Sequence, residues 1–185
     1  MTGAGLGMIR GESILFRDIC LCVRAGEALI LRGANGAGKT TLLRILAGLT
    51  RPEAGQVTRA GAHHWIGHRE GLKPQETPRS HLKLWTRAWG SVVNPESALN
   101  RLGLARPADV AGRYLSAGQR RRTALARLLL EERPVWLLDE PYTALDADGR
   151  SLVDALIAEH RARGGALIAA IHGEAGFGAS LELFL

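Results

Sequence analysis

The apolar residues of this chain fall into two patterns, short continuous runs and longer segments with helical spacing. Residues 28–31, 135–138 and 166–171 are apolar runs of strand length, typical of strands buried on both faces of a sheet. Residues 39–49 and 148–163 carry apolar side chains every three or four positions, which predicts amphipathic helices. This alternation of strands and helices predicts an α/β fold with a parallel sheet core.

Three further segments complete the predicted elements. Partial alternation predicts a strand at 13–23, and residues 51–66 have the turns and apolar positions of a small antiparallel β piece. Helical spacing dominates from residue 73 to about 133 and includes a longer helix at 120–132. The middle of the chain is therefore expected to be a helical subdomain inserted into the α/β core.

The 185 residues are expected to form a single domain over 1–185. Its core is predicted at about 1–68 and 134–185, and the helical insertion at about 69–133. No run of 18 apolar residues occurs, so no segment is expected to span a bilayer. The formal net charge is +6, but no basic stretch has interleaved aromatic residues of the kind that binds single strands. Nucleic acid is therefore not an expected partner.

A glycine-rich segment between the predicted strand and helix at 28–49 fits the pattern G-x-x-x-x-G-K-[ST]. Its glycines allow backbone N–H groups to converge on phosphate oxygens, and the helix start adds the positive end of a dipole. Lys39 is expected to reach the β- and γ-phosphates, and the Thr40 hydroxyl is expected to ligate Mg²⁺. The segment predicts a phosphate-loop NTPase that takes ATP with Mg²⁺. The predicted ATP-binding residues are Gly33, Ala34, Asn35, Gly36, Ala37, Gly38, Lys39, Thr40 and Thr41.

Two acidic residues follow the apolar run 135–138. Because such a strand ends in the crevice at the carboxyl edge of its sheet, where ligands bind, Asp139 is expected to hold Mg²⁺ directly or through water. Glu140 points elsewhere and is expected to polarise a water against the γ-phosphate. The two acids predict that the bound ATP is hydrolysed.

Three more motifs follow in a fixed order along the chain. Residues Leu115, Ser116, Ala117, Gly118 and Gln119 resemble the LSGGQ signature of ABC ATPases, with Ala117 in place of its first glycine. Asp146 ends a segment that resembles the D-loop of that family, and His172 stands where the family keeps its switch histidine. The chain therefore resembles an ABC ATP-binding subunit over nearly its whole length.

The resemblance implies a RecA-like fold and catalytic roles for Lys39, Glu140 and His172. It also implies an ATP-dependent head-to-tail homodimer, in which Ser116, Gly118 and Gln119 of one subunit contact the γ-phosphate held by the other. Since the signature turn precedes a helix, it too presents N–H groups and a positive dipole end to an anion. Hydrolysis would open the dimer, and a partner must receive that motion.

A finer resemblance is to the ATP-binding subunit of the haem exporter of cytochrome c maturation, the CcmA family. The stretches that resemble it are 35–44, 65–68, 118–128 and 135–146. This resemblance implies an integral membrane subunit as partner and a peripheral position on the cytoplasmic face of the inner membrane. Two alternatives stay open: a soluble ABC ATPase of iron–sulfur assembly, and an exporter subunit for another substrate. A small-molecule kinase is disfavoured by the signature.

Two departures from the family pattern leave roles unassigned. Where the family carries an aromatic residue that stacks on adenine, this chain has Arg10 and Gly11, so an arginine plane substitutes or the base contact is weak. Where the family has its Q-loop glutamine, the candidates are Arg69, His68 and Gln75.

One helical face of the insertion carries Leu82, Trp85 and Trp89. By the family resemblance this region faces the membrane subunit. The alternative is that both tryptophans pack inside the insertion, and the sequence leaves this choice open.

Overall fold

The computed structural model describes all 185 residues, which divide into two compact units. The first unit comprises Met1–Gly67, Arg133–Glu140 and Asp154–Leu185, and the second comprises His68–Glu132 and Pro141–Val153. The predicted insertion overlaps the first part of the second unit, and the sequence-based domain division itself stays a prediction.

A five-stranded parallel sheet forms the centre of the first unit. The three predicted apolar runs form its middle strands, two of which have only buried residues, as expected for strands covered on both faces. In the order in which they pair, its strands are β5 (His63–Ile66), β6 (Val135–Asp139), β7 (Ala166–Ala170), β3 (Ala28–Arg32) and β8 (Leu181–Phe184). The ends of β6, β7 and β3 therefore lie side by side at one edge.

A three-stranded antiparallel sheet completes the strands of the first unit. Its order is β2 (Ser13–Cys22), β1 (Thr2–Arg10) and β4 (Ala54–Thr58). The segment predicted as one β piece at 51–66 is thus split, because β5 joins the parallel sheet instead of the antiparallel one. β1 and β8 had no sequence prediction.

The chain has five α-helices. α1 (Lys39–Leu46) and α5 (Ala147–Ala162) correspond to the two predicted amphipathic helices. α2 (Pro78–Trp89) and α3 (Pro95–Arg101) each start with proline at the first position, which suits a residue without an N–H. α4 (Ala117–Ala126) begins three residues before the predicted 120–132 helix, and a 3₁₀ turn at Arg127–Leu129 follows it.

Each unit has its own apolar core. In the first, the buried face of α1 packs with the parallel strands, and Leu42, Leu43, Ile45 and Leu46 are fully buried. In the second, Leu82, Leu99 and Leu125 of α2, α3 and α4 are also fully buried. The α/β fold with a parallel core, a small antiparallel sheet and a helical part is confirmed.

Candidate ATP-binding and hydrolysis site

The glycine-rich segment forms an open loop between β3 and α1. Gly33, Gly36 and Gly38 have φ of 135°, 85° and 102°, a region that residues with a Cβ rarely adopt. At Gly38 a Cβ would also lie 2.9 Å from the Phe16 ring. No side chain caps α1, so the N–H groups of its first turn are available to an anion.

Lys39 lies at the start of α1, and its side chain folds back over this loop. Its ammonium donates to the carbonyl oxygens of Gly33 at 2.7 Å and Ala34 at 2.9 Å. The residue is 7% exposed, so the loop carbonyls provide partners for an otherwise costly buried cation. The ammonium is therefore held inside the loop where a phosphate would sit.

Thr40 and Asp139 meet although 99 residues separate them. The Thr40 hydroxyl donates to Asp139 Oδ2 at 2.9 Å, and Asp139 is 1% exposed. The parallel sheet brings them together, because Asp139 ends β6 while Thr40 lies in the first turn of the helix that follows β3. Two residues predicted as magnesium ligands are thus direct neighbours.

Glu140 leaves the strand in a different direction from Asp139. Its φ of 52° is left-handed, while its N–H still donates to the Ala170 carbonyl of β7 at 2.9 Å. This turn places the Glu140 carboxylate 3.5 Å from His172 Nε2, the residue predicted as the switch histidine. Both side chains are partly exposed, at 31% and 51%, so water and substrate can reach them.

The signature residues form the N-terminus of α4. Ser116 Oγ accepts from the Gln119 N–H at 3.1 Å, and the Ser116 N–H donates to Gln119 Oε1 at 2.8 Å, which is a capping box. Ala117 is exposed and its φ is not positive, so the methyl group is accommodated where the family has glycine. Gly118 is constrained, because a Cβ there would lie 2.8 Å from the Ala144 carbonyl oxygen.

Asp146 caps the next helix. Its Oδ1 accepts from the Gly149 N–H at 2.9 Å, so the carboxylate faces the positive end of α5. A cleft next to the signature is lined by Ser116, Ala117, Gly118, Arg122, Ala144, Leu145 and Asp146. The structure thus gathers the predicted signature and D-loop into one concave surface of the second unit.

The Q-loop role and the adenine contact, for which the sequence offered several candidates, are left without an assigned residue. His68, Arg69 and Gln75 all lie exposed in the irregular segment between β5 and α2. Arg10 and Gly11 lie exposed at the turn between β1 and β2. These positions stay predictions.

Arg32, the last residue of β3, was missed by sequence reasoning. Its guanidinium donates to the carbonyls of Ile171 and Gly173, the two neighbours of His172. A single arginine at a strand end matches no motif, and the acceptors lie about 140 positions away in the sequence. Only the strand order could have pointed to it, since β3 and β7 are adjacent.

The aromatic face of α2 is partly packed within the second unit. The Trp85 ring lies 4.8 Å from that of Trp89, and its indole N–H donates to His81 Nε2 at 3.1 Å. His81 Nδ1 therefore carries the proton that bonds Glu76 Oε2 at 3.1 Å. Burial lowers the pKa of His81, opposed by the bond to Glu76 and reinforced by the charge of Arg127. Both tryptophans stay half-buried.

Comparison with known proteins agrees with this geometry. The family model described as ABC transporter matches residues 16–143. The chain is 63% identical over 185 residues to the cytochrome c biogenesis ATP-binding export protein CcmA of Hyphomonas neptunium, covering 100% of this chain and 96% of the relative. It is 42% identical to the protein of the same name from Rhodopseudomonas palustris, strain BisB5, covering 97% and 94%.

A solved structure gives the same fold. An ATP-binding subunit of an ABC transporter superposes with a TM-score of 0.80 at 24% identity, covering 92% of this chain and 78% of the other. None of the helices described above is both long and apolar enough to cross a membrane. The chain therefore belongs to the ABC transporter family and, within it, to the CcmA group of cytochrome c biogenesis ATP-binding export proteins.

Proposed function

We propose that this chain is the ATP-hydrolysing subunit of an export complex in cytochrome c biogenesis, and that it drives a separate integral membrane subunit whose cargo is haem. ATP binding and hydrolysis follow from family membership, and the export role rests on the 63% identity to an export protein of that process. The one observation that carries the chemistry is the Thr40–Asp139 hydrogen bond, which joins the phosphate loop to the acidic strand end. The chain would act at the cytoplasmic face of the inner membrane.

Mg²⁺ suits the oxygen atoms that meet at this point. Thr40 Oγ1 and Asp139 Oδ2 are hard donors already in contact, and no group of three His, Cys, Asp or Glu side chains is close enough to form a complete cage. Such a partial set fits an ion that takes its other ligands from phosphates and water, which is usual for Mg²⁺ in ATPases. Bound there, Mg²⁺ would neutralise charge on the β- and γ-phosphates.

The residues of the chain then have distinct tasks in hydrolysis. Lys39 would exchange its bonds to the Gly33 and Ala34 carbonyls for phosphate oxygens, so the buried cation keeps partners throughout. Glu140 would accept the proton of the attacking water. His172, whose Nε2 lies 3.5 Å from the Glu140 carboxylate, would orient that carboxylate and contact the γ-phosphate.

A second copy would complete the site. Ser116 and Ala117 are exposed at the N-terminus of α4, and the concave surface beside them is lined by residues of the signature and D-loop together with Arg122. A helix N-terminus offers N–H groups to an anion, so this surface suits the γ-phosphate held by the partner copy. ATP would thus bridge a head-to-tail homodimer, and hydrolysis would remove the bridge.

The half-buried face of α2 is the proposed contact with the membrane subunit. Trp85 and Trp89 are both half-buried, so the face retains aromatic area for a partner. Replacing both tryptophans by alanine should release the chain from membranes while its fold persists. Loss of folding would instead indicate that the pair serves only the packing of the second unit.

Glu140→Gln tests the hydrolytic role. The variant should still bind ATP but lose turnover by about 10²–10⁴-fold, since a positioned base contributes that much. Glu53→Gln is the matched control, because Glu53 is an exposed carboxylate in a different part of the first unit. Unchanged turnover in Glu140→Gln would move the base to another residue.

Purification from the native membrane tests the biological role. Detergent-solubilised complex should contain this chain with an integral membrane protein, and ATP turnover should respond to haem rather than to other cargo. Recovery of the chain with iron–sulfur assembly proteins, or stimulation by a different substrate, would replace the export role while leaving the ATPase assignment intact.

A further inference from the structure

Arg32 contacts the segment that presents His172 at two points. Its Nη1 donates to the Ile171 carbonyl at 3.0 Å and to the Gly173 carbonyl at 2.5 Å. These two carbonyls belong to the residues immediately before and after His172. A single guanidinium nitrogen therefore bonds the backbone on both sides of one proposed catalytic side chain.

The other side of the guanidinium is held by β8. Nε and Nη2 of Arg32 both donate to Glu182 Oε1, at 3.0 and 2.9 Å. Arg32 is 20% exposed and Glu182 40%, so the ion pair by itself contributes little to stability. Its geometric effect is larger, because the carboxylate orients the planar group so that Nη1 points at the two carbonyls.

The position of Arg32 in the chain also connects it to the phosphate loop. It is the last residue of β3, and the next residue, Gly33, begins the phosphate loop. The strand that carries the phosphate loop is thus tied through one side chain to the segment that carries His172, which itself faces Glu140 at 3.5 Å.

We infer that Arg32, oriented by Glu182, is a positioning residue for ATP hydrolysis that acts through His172. The inference rests on the proposed role of His172. A lysine could not replace Arg32, since one ammonium lacks the fork of donors that reaches two carbonyls and a carboxylate together.

Arg161 provides a matched control. It also binds the segment after β7 through backbone carbonyls, donating to Phe177 at 3.0 Å and Ala179 at 2.7 Å. Those acceptors lie five and seven residues beyond His172. Loss of Arg161 should loosen the same segment without releasing the backbone on either side of the histidine.

The test is a cycle of Arg32→Gln, His172→Ala and the double variant in the full chain, alone and in its membrane complex. We expect Arg32→Gln to lower kcat on the order of 10²-fold, as misplacement of a catalytic group does, with ATP affinity and KM nearly unchanged. In the His172→Ala background Arg32→Gln should have no further effect. Arg161→Gln should leave kcat near the wild-type value.

The other outcomes separate this inference from the proposed function. If the kcat loss of the double variant equals the product of the losses of the two single variants, the positioning role is overturned while His172 stays catalytic. Equal loss of kcat in Arg161→Gln would also overturn it, since any loosening of the segment would then suffice. Wild-type turnover in His172→Ala would remove the role of His172 and of Arg32, but Glu140→Gln would still report on hydrolysis. If Arg32→Gln fails to fold, Glu182→Gln decides: it should lower kcat only when His172 is present.

Discussion

Gly118→Ala, in the signature, should change the stability of the chain through two opposing effects, helix propensity and a steric contact. Gly118 is the second residue of α4, where alanine is the better helix former by at most about 1 kcal/mol. The added Cβ would however lie 2.8 Å from the Ala144 carbonyl oxygen. Carbon–oxygen contacts in proteins lie at about 3.3–3.6 Å, so the two groups must move apart by roughly 0.5 Å.

The contact should outweigh the gain in helix propensity. The obstacle is a backbone oxygen rather than the end of a flexible side chain, and Ala144 is already in a left-handed conformation with φ of 63°. Overpacking of this kind costs about 1–3 kcal/mol. We therefore expect a net destabilisation of about 1 kcal/mol, which lowers the Tm of a chain of this size by about 2–4 °C.

Thermal unfolding followed by circular dichroism measures this balance. Ala117→Gly is the matched variant, because Ala117 is exposed in the same turn and its replacement isolates the propensity effect. If Gly118→Ala raises the Tm by as much as Ala117→Gly lowers it, the close approach of Ala144 does not exist in solution. The same variant should also lose ATP-dependent dimerisation, which sedimentation with Glu140→Gln as the trapping background can detect.

Three further predictions concern the loop, the core and the pH dependence. Lys39→Ala should weaken ATP binding and hydrolysis together, measured by calorimetric titration and steady-state turnover; normal turnover would refute the phosphate-loop assignment. Leu43→Ala should lower the free energy of unfolding by about 2–5 kcal/mol in urea titration, since Leu43 is fully buried; a loss under 1 kcal/mol would mean that the core repacks. Because the pKa of His81 is lowered in the folded state, the unfolded state takes up more protons below about pH 6.5, so the free energy of unfolding should fall from pH 7 to pH 5. His81→Gln should flatten that fall, and an unchanged slope would show that other groups cause it.

The sequence predicted the central strands of the sheet, because each of them is a continuous run of apolar residues. Runs such as 28–31 and 135–138 are apolar throughout, which is typical of strands buried on both faces. β1 and β8 were missed for the opposite reason. β1 contains four glycine or alanine residues among its first six, and β8 is a largely exposed edge strand of only four residues.

The functional site likewise has parts that the sequence predicts and parts that it does not. The phosphate loop and the acids after β6 could be predicted because each is fixed by local chemistry over a few consecutive residues. The proximity of Thr40 to Asp139 needed strand order, and the contact of Arg32 with the His172 segment needed actual coordinates. The Q-loop and the adenine contact stayed open because Arg69 and Arg10 carry no local pattern that distinguishes a ligand contact from an exposed loop.

The backbone conformation at Glu140 explains how two adjacent acids acquire different tasks. Only three residues other than glycine have positive φ, and two of them, Glu140 and Ala144, lie in or next to the proposed catalytic motifs. A left-handed residue costs on the order of 1–3 kcal/mol, so it persists where surrounding contacts impose it. Here the Glu140 N–H remains bonded to Ala170 of β7 while the side chain turns toward His172. Had the strand continued regularly, Glu140 would point to the opposite face of the sheet from Asp139. The left-handed turn therefore gives the two carboxylates different surroundings: that of Asp139 is buried against Thr40, and that of Glu140 lies partly exposed beside His172.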